Sequence, residues 1–187
     1  MVGGAAGTGG PEAAVLREAL HGSFTVQRDL AASPERVFCA YADLSVRRRW
    51  FRLPGDPLRG SHELDFRVGG HEALSGVFAP IGEAEEALSY RSTFYDLVPG
   101  SRIVFSYSVT VNGVRRWASL VTVSLSALSP LPPVPPLPLD GEGTRLRHTE
   151  QYTFLAYDGD GAQDIAHLKG SMPLQLNGLA VALHGTG

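Results

Sequence analysis

The chain of 187 residues has a single cysteine, Cys39, so it cannot form an internal disulfide, and cysteine ligation of a metal is not expected. That agrees with a reducing cytoplasm, and Cys39, in the first helix among apolar residues, is itself expected to pack in the core. The opening MVGGAAGTGGPEAA has neither a basic nor an apolar segment of the kind a secretory signal needs. No stretch approaches the roughly 20 apolar residues of a membrane span, so no membrane partner is expected. Charge of one sign is also scarce. The net charge is −3 without a long run of either sign, which argues against nucleic acid and anionic membranes as partners. Arg47 to Arg49 form a local exception and read as the solvated end of a helix. Nucleotide-binding glycine motifs and a Gly-x-Ser-x-Gly elbow are missing. Histidines at helical or strand ligand spacing are missing too. His21, His71, His167 and His184 are scattered, and only His62, His148 and Glu150 offer a two-histidine, one-carboxylate set. No metal and no cofactor are expected.

An apolar fraction of 43% and this length fit one globular domain. Residues 1–21 read as a flexible tail in which Glu12 to His21 are compatible with a short helix; residues 22–187 read as the domain. Ser23 to Ala31 alternates as a strand. Ser33-Pro34-Glu35 opens a first short helix and Asp43 caps a second, ending near Trp50-Phe51. His62 to Val68 alternates again, and Gly69-Gly70 turns into a short strand from His71 to Gly76. Three longer strands follow: Glu86 to Val98, Ser101 to Val111 and Val114 to Leu128, with Asn112-Gly113 as a tight hairpin turn. The proline-rich segment Ser129 to Asp140 reads as a stiff loop. Ala162 to Leu183 has helical spacing, with a kink or break expected near Gly170 and Pro173 and Ser171 available to cap the second half. The order predicts an α+β fold in which a long C-terminal helix packs on an antiparallel sheet.

The segment GEGTRLRHTEQYTFL, Gly141 to Leu155, carries the sharpest signal. Alternation puts Leu146, His148, Glu150, Tyr152 and Phe154 on one strand face, and the apolar members turn that face toward the core. A carboxylate brought there must be paired or solvated. The face therefore lines either an internal polar network or a pocket. Extending the alternation to the other strands nominates His62, Leu64 and Phe66; Arg91, Thr93 and Tyr95; Phe105 and Tyr107; and Trp117 and Ser119. Met172 and Leu176 join them from the helix. An aromatic lining with a few convergent polar groups suits a small hydrophobic or aromatic molecule.

Four patches, FTVQRDLAASPERVFCAYADLSVRRRWF, HELDFRVGG, YDLVPGSRIVFSYSV and GEGTRLRHTEQYTFL, occur in an order that resembles the helix-grip superfamily of START lipid-transfer domains and polyketide cyclases. Within it the chain is most similar to the family homologous to the activator of the heat-shock-protein-90 ATPase. The likeness spans roughly Ser23 to Leu183 and implies a curved antiparallel sheet wrapped around a long C-terminal helix, with two short helices after the first strand. The chain departs from that pattern at Gly170, which no tryptophan follows, at Pro173, and in the insert Ser129 to Asp140.

Three readings follow. The first is binding of a small hydrophobic or aromatic ligand between sheet and helix by His62, Phe66, Arg91, Tyr95, Tyr107, Trp117, His148, Glu150, Tyr152, Met172 and Leu176. The second is a protein-interaction module, with chaperone contact as the family resemblance implies. The third is a cofactor-free cyclase or hydrolase in which Glu150 and His148 act as a general base. An alternative to all three is a purely internal network joining Glu150 to Arg91 and His148 to a tyrosine hydroxyl. A homodimer through a sheet edge is also expected to be feasible.

Overall fold

A computed structural model describes residues 18–79, 81–82, 84–128 and 143–184. The expected helix over Glu12 to His21 and the proline-rich segment lie mostly or wholly outside these residues, although Leu20 and His21 belong to the first strand. The elements are β1 (Leu20–Leu30), α1 (Pro34–Ala42), α2 (Leu44–Trp50), a 3-10 turn (Pro57–Arg59), β2 (Ser61–Leu64), β3 (His71–Phe78), β4 (Glu86–Val98), β5 (Arg102–Val111), β6 (Val114–Leu128), β7 (Gly143–Phe154) and α3 (Ala162–His184). The strands form one seven-stranded antiparallel sheet in the order β1-β7-β6-β5-β4-β3-β2. The α+β architecture with its long terminal helix is as expected. No helix is long and apolar enough to cross a membrane among the described residues.

Local chemistry explains the boundaries. Ser33 Oγ accepts the Arg36 N–H at 3.3 Å, and Pro34 occupies the first turn, where its missing N–H costs nothing. Asp43 then serves two helices. Its N–H donates to the Cys39 carbonyl to end α1, and its Oδ1 accepts the Ser45 N–H at 2.7 Å to start α2. Asn112 and Gly113 take φ of 50° and 81°, the left-handed pair that a two-residue hairpin requires.

Several elements depart from expectation. β2 stops at Leu64, after which the chain turns; Phe66 still points inward against Phe38 and Phe94, whereas Val68 is exposed. Cys39 is exposed rather than packed, because α1 buries Val37, Ala40 and Tyr41 at helical spacing. α3 runs without a break through Pro173. The proline deprives the Lys169 carbonyl of its donor, but Lys169 is exposed, so water can serve that carbonyl. Ser171 caps nothing: its hydroxyl donates back to the Leu168 carbonyl at 2.9 Å.

The inner sheet face and α3 enclose the main core. Met172, Leu176, Leu179 and Leu183 pack with Phe94, Ile103, Phe105, Val121, Val123 and Leu146. At the β1 edge, Gly22 lies opposite Tyr152 in the ladder, and a Cβ there would sit 2.3 Å from the Tyr152 hydroxyl. Backbone is therefore what the Tyr152 ring rests against. Gly22→Ala should displace that ring and destabilise the fold by about 1–3 kcal/mol in urea unfolding; an unmoved midpoint would show that the ring has room.

Candidate functional site

β7 places Leu146, His148, Glu150, Tyr152 and Phe154 on the inner face, all of them buried. Glu150 has no solvent exposure. Its Oε1 accepts the Tyr107 hydroxyl from β5 at 2.5 Å, and its Oε2 lies 3.1 Å from His148 Nε2. Trp117 on β6 donates its indole N–H to the Tyr107 oxygen at 3.3 Å. Burial, followed by the neighbouring Glu150, pushes the Tyr107 phenol well above its ordinary value, so it stays a donor. Phe24 faces both His148 and Tyr152 with ring centroids 6.3 Å away, and Tyr90 stacks on Tyr107 at 5.1 Å.

Cross-strand register fixes the neighbourhood. Tyr107 pairs with Ser119, and Ser119 pairs with Tyr152. Ser119 is buried between these two aromatic positions, and its Oγ is the only buried side-chain polar atom among the described residues that makes no hydrogen bond of ordinary length, its interaction with the Tyr107 hydroxyl being a weak one. Three apolar clusters meet here: the main core, a second around Leu74, Tyr90 and Val109, and a third around Tyr152, Phe154 and Leu168. Tyr107 packs on the first two and Trp117 on the last two, yet neither is fully buried.

The remaining nominees separate into three places. Phe66, Met172 and Leu176 belong to the main core. Arg91 and Tyr95 stand on the outer face and do not reach the space under α3, because Leu88, Tyr90, Ser92 and Phe94 are the buried positions of β4. Glu150 accordingly has no contact with Arg91; Tyr107 takes that place, and His148 turns to Glu150 rather than to a tyrosine. His62 lies at the far end of the sheet, with four strands between β2 and β7. It therefore cannot join His148 and Glu150 around a metal, and no group of three ligating side chains occurs among the described residues.

His62 instead belongs to a second polar cluster that the sequence did not reveal. Its Nε2 donates to Glu72 Oε1 at 2.8 Å. Arg47 grips both Glu72 oxygens through Nε and Nη2, each at 2.8 Å. The guanidinium lies 4.2 Å from the Trp50 ring centroid and 4.0 Å from that of Phe51. Arg47 is thus buried, not solvated, while Arg48 and Arg49 remain exposed. Burial of Glu72 opposes ionisation, but the charge of Arg47 and the hydrogen bonds from Arg47 and His62 outweigh it and hold the carboxyl below its ordinary value.

No family model matches the chain, and no curated protein sequence does either. Solved structures do. An uncharacterised protein from Rhizobium leguminosarum is similar at 30% identity over 89% of this chain and 97% of its own, with a TM-score of 0.67. The Mll3558 protein from Rhizobium loti is similar at 37% identity over 89% of this chain and 99% of its own, with a TM-score of 0.64. This chain belongs to one family with those two rhizobial proteins. DynU16, a protein of the dynemicin biosynthetic locus, shares the fold at 16% identity and a TM-score of 0.53, with 47% of its own length covered.

The buried Arg47–Glu72 pair generates a prediction. Glu72→Gln leaves a buried guanidinium without its counter-charge and should cost about 3–5 kcal/mol in urea unfolding at neutral pH. Because the folded pKa of Glu72 is lowered from 4.5, its contribution is full above about pH 4.5 and is lost as pH falls through the folded value. The stability gap between wild type and Glu72→Gln should therefore close on acidification. A gap independent of pH would contradict this ion pair.

Proposed function

We propose that the protein binds a small aromatic or hydrophobic ligand on the inner sheet face, at the seam marked by Tyr107, Trp117, Ser119 and Tyr152. The observation that carries this reading is Ser119 Oγ, a buried hydroxyl that makes no more than a weak interaction with the Tyr107 hydroxyl, beside a half-buried tyrosine and tryptophan. An unsatisfied buried hydroxyl costs about 1–3 kcal/mol, and a ligand hydroxyl or carbonyl would remove that cost. Trp117, Tyr107 and Tyr90 supply the ring surfaces, and Glu150 with His148 fixes the Tyr107 ring from behind. The likeness to START domains, polyketide cyclases and the heat-shock ATPase activator homologues supports the same sheet-and-helix binding mode.

Glu150 is better suited to holding than to catalysis. Both of its oxygens are already engaged, one by Tyr107 and one by His148, so the network orients rings and leaves no idle base for a substrate proton.

Fluorescence titration with 2-naphthol tests the reading. Saturable quenching is expected in the wild type and its loss in Trp117→Phe. Ser119→Ala should weaken 2-naphthol about three- to tenfold, the worth of one hydrogen bond, and leave naphthalene unchanged. Non-saturable quenching, or equal sensitivity of both probes to Ser119→Ala, would overturn the assignment.

A further inference from the structure

The opposite face of the sheet has a different character. A shallow groove of about 920 Å³ crosses it from β4 to β1. Its floor includes the backbone beneath Tyr107, Ser119 and Tyr152, whose side chains belong to the inner face. Its outward lining is mostly hydroxyl and amide, notably Thr93, Ser106, Ser108 and Gln151, with Ala118 and Leu120 as apolar members and His21 at the β1 end, and no carboxylate lines it. Two arginines rise from this floor, Arg91 on β4 and Arg115 on β6. Both are exposed, and neither has a carboxylate partner among the described residues.

Strand register brings the two arginines toward one point. Arg91 pairs with Ser108, and Ser108 pairs with Ala118. Simple alternation from Trp117 would turn Arg115 inward. The β5–β6 ladder instead slips between Val109 and Thr110, leaving Arg116 as the extra residue and setting Arg115 opposite Thr110 on the outer face. Arg91 and Arg115 are then two strand spacings apart sideways and two residues apart lengthwise, about 12 Å between Cα atoms. Two extended arginine side chains bridge that span above Ser108. In a chain whose net charge is −3, the bulge thus sets two uncompensated guanidiniums over a hydroxyl-rich floor.

We infer that this groove binds a phosphorylated sugar, with the phosphate held between Arg91 and Arg115 and the sugar hydroxyls on the Ser, Thr and Gln side chains. Guanidinium matches a phosphate in planar, bidentate geometry. Short hydroxyl and amide side chains match a polyol.

Isothermal titration of the full chain with glucose 6-phosphate at low salt tests the inference, with glucose and inorganic phosphate as separate probes. Saturable binding of glucose 6-phosphate is expected, together with weaker binding of phosphate and none of glucose. Arg91→Gln and Arg115→Gln should each weaken the sugar phosphate at least about tenfold while leaving the circular dichroism spectrum and urea midpoint unchanged, since both side chains are exposed. Three outcomes would overturn the site: no saturable binding up to ~10 mM, affinity indifferent to both substitutions, or phosphate binding as tightly as its sugar ester.

Discussion

A carboxylate without solvent contact, set on an otherwise apolar strand face, constrains much of this structure. Glu150 cannot be left bare there. Its demand for donors explains why a tyrosine sits on β5, why His148 precedes it by two positions on the same face, and why the Trp117 indole points at the Tyr107 oxygen. These bonds lock ring orientations where three apolar clusters meet. A packed apolar replacement of such a network is often as stable as the network itself. Retaining such a network is consistent with the binding role proposed above, and the weakly engaged Ser119 hydroxyl beside it points the same way.

The sheet divides two kinds of chemistry. Its inner face joins aromatic rings to a polar network under α3; its outer face is hydroxylated and carries unpaired guanidiniums. The two β-bulges, after Phe94 in β4 and at Arg116 in β6, are where strand alternation is reset. The second of these keeps Trp117 inside while turning Arg115 out. At the other end of the sheet, Arg47, Glu72 and His62 tie α2 to β2 and β3 and so hold the helical layer against the sheet.

Much of this was legible in the residues. The face of β7 could be read outright, because Leu146 and Phe154 bracket the polar positions and settle the parity. The caps Ser33 and Asp43 and the Asn112-Gly113 turn were equally plain, since each is a local interaction. β4 has the parity opposite to that expected: Arg91, Thr93 and Tyr95 face outward, and the larger apolar side chains Leu88 and Phe94, with Tyr90 between them, are the residues that mark the inner set. Arg47 was hidden within a run of three arginines, where only its spacing of three residues before Trp50 places it on the buried side of α2. Glu72 had a similar clue in Leu74, two residues on. No local signal in the sequence joins Arg47 to Glu72, because that pairing is tertiary. The uninterrupted course of α3 past Pro173 likewise depends on which side of the helix meets water.

On the reading proposed above, the Glu150 network is kept for ligand recognition and not for stability. The most direct test is the 2-naphthol affinity of the triple replacement Tyr107→Phe, His148→Leu, Glu150→Leu, in which apolar groups fill the space of the whole network. The account predicts a folded protein with a urea midpoint at or above that of the wild type and no saturable naphthol binding. Undiminished naphthol affinity in that folded variant would contradict it.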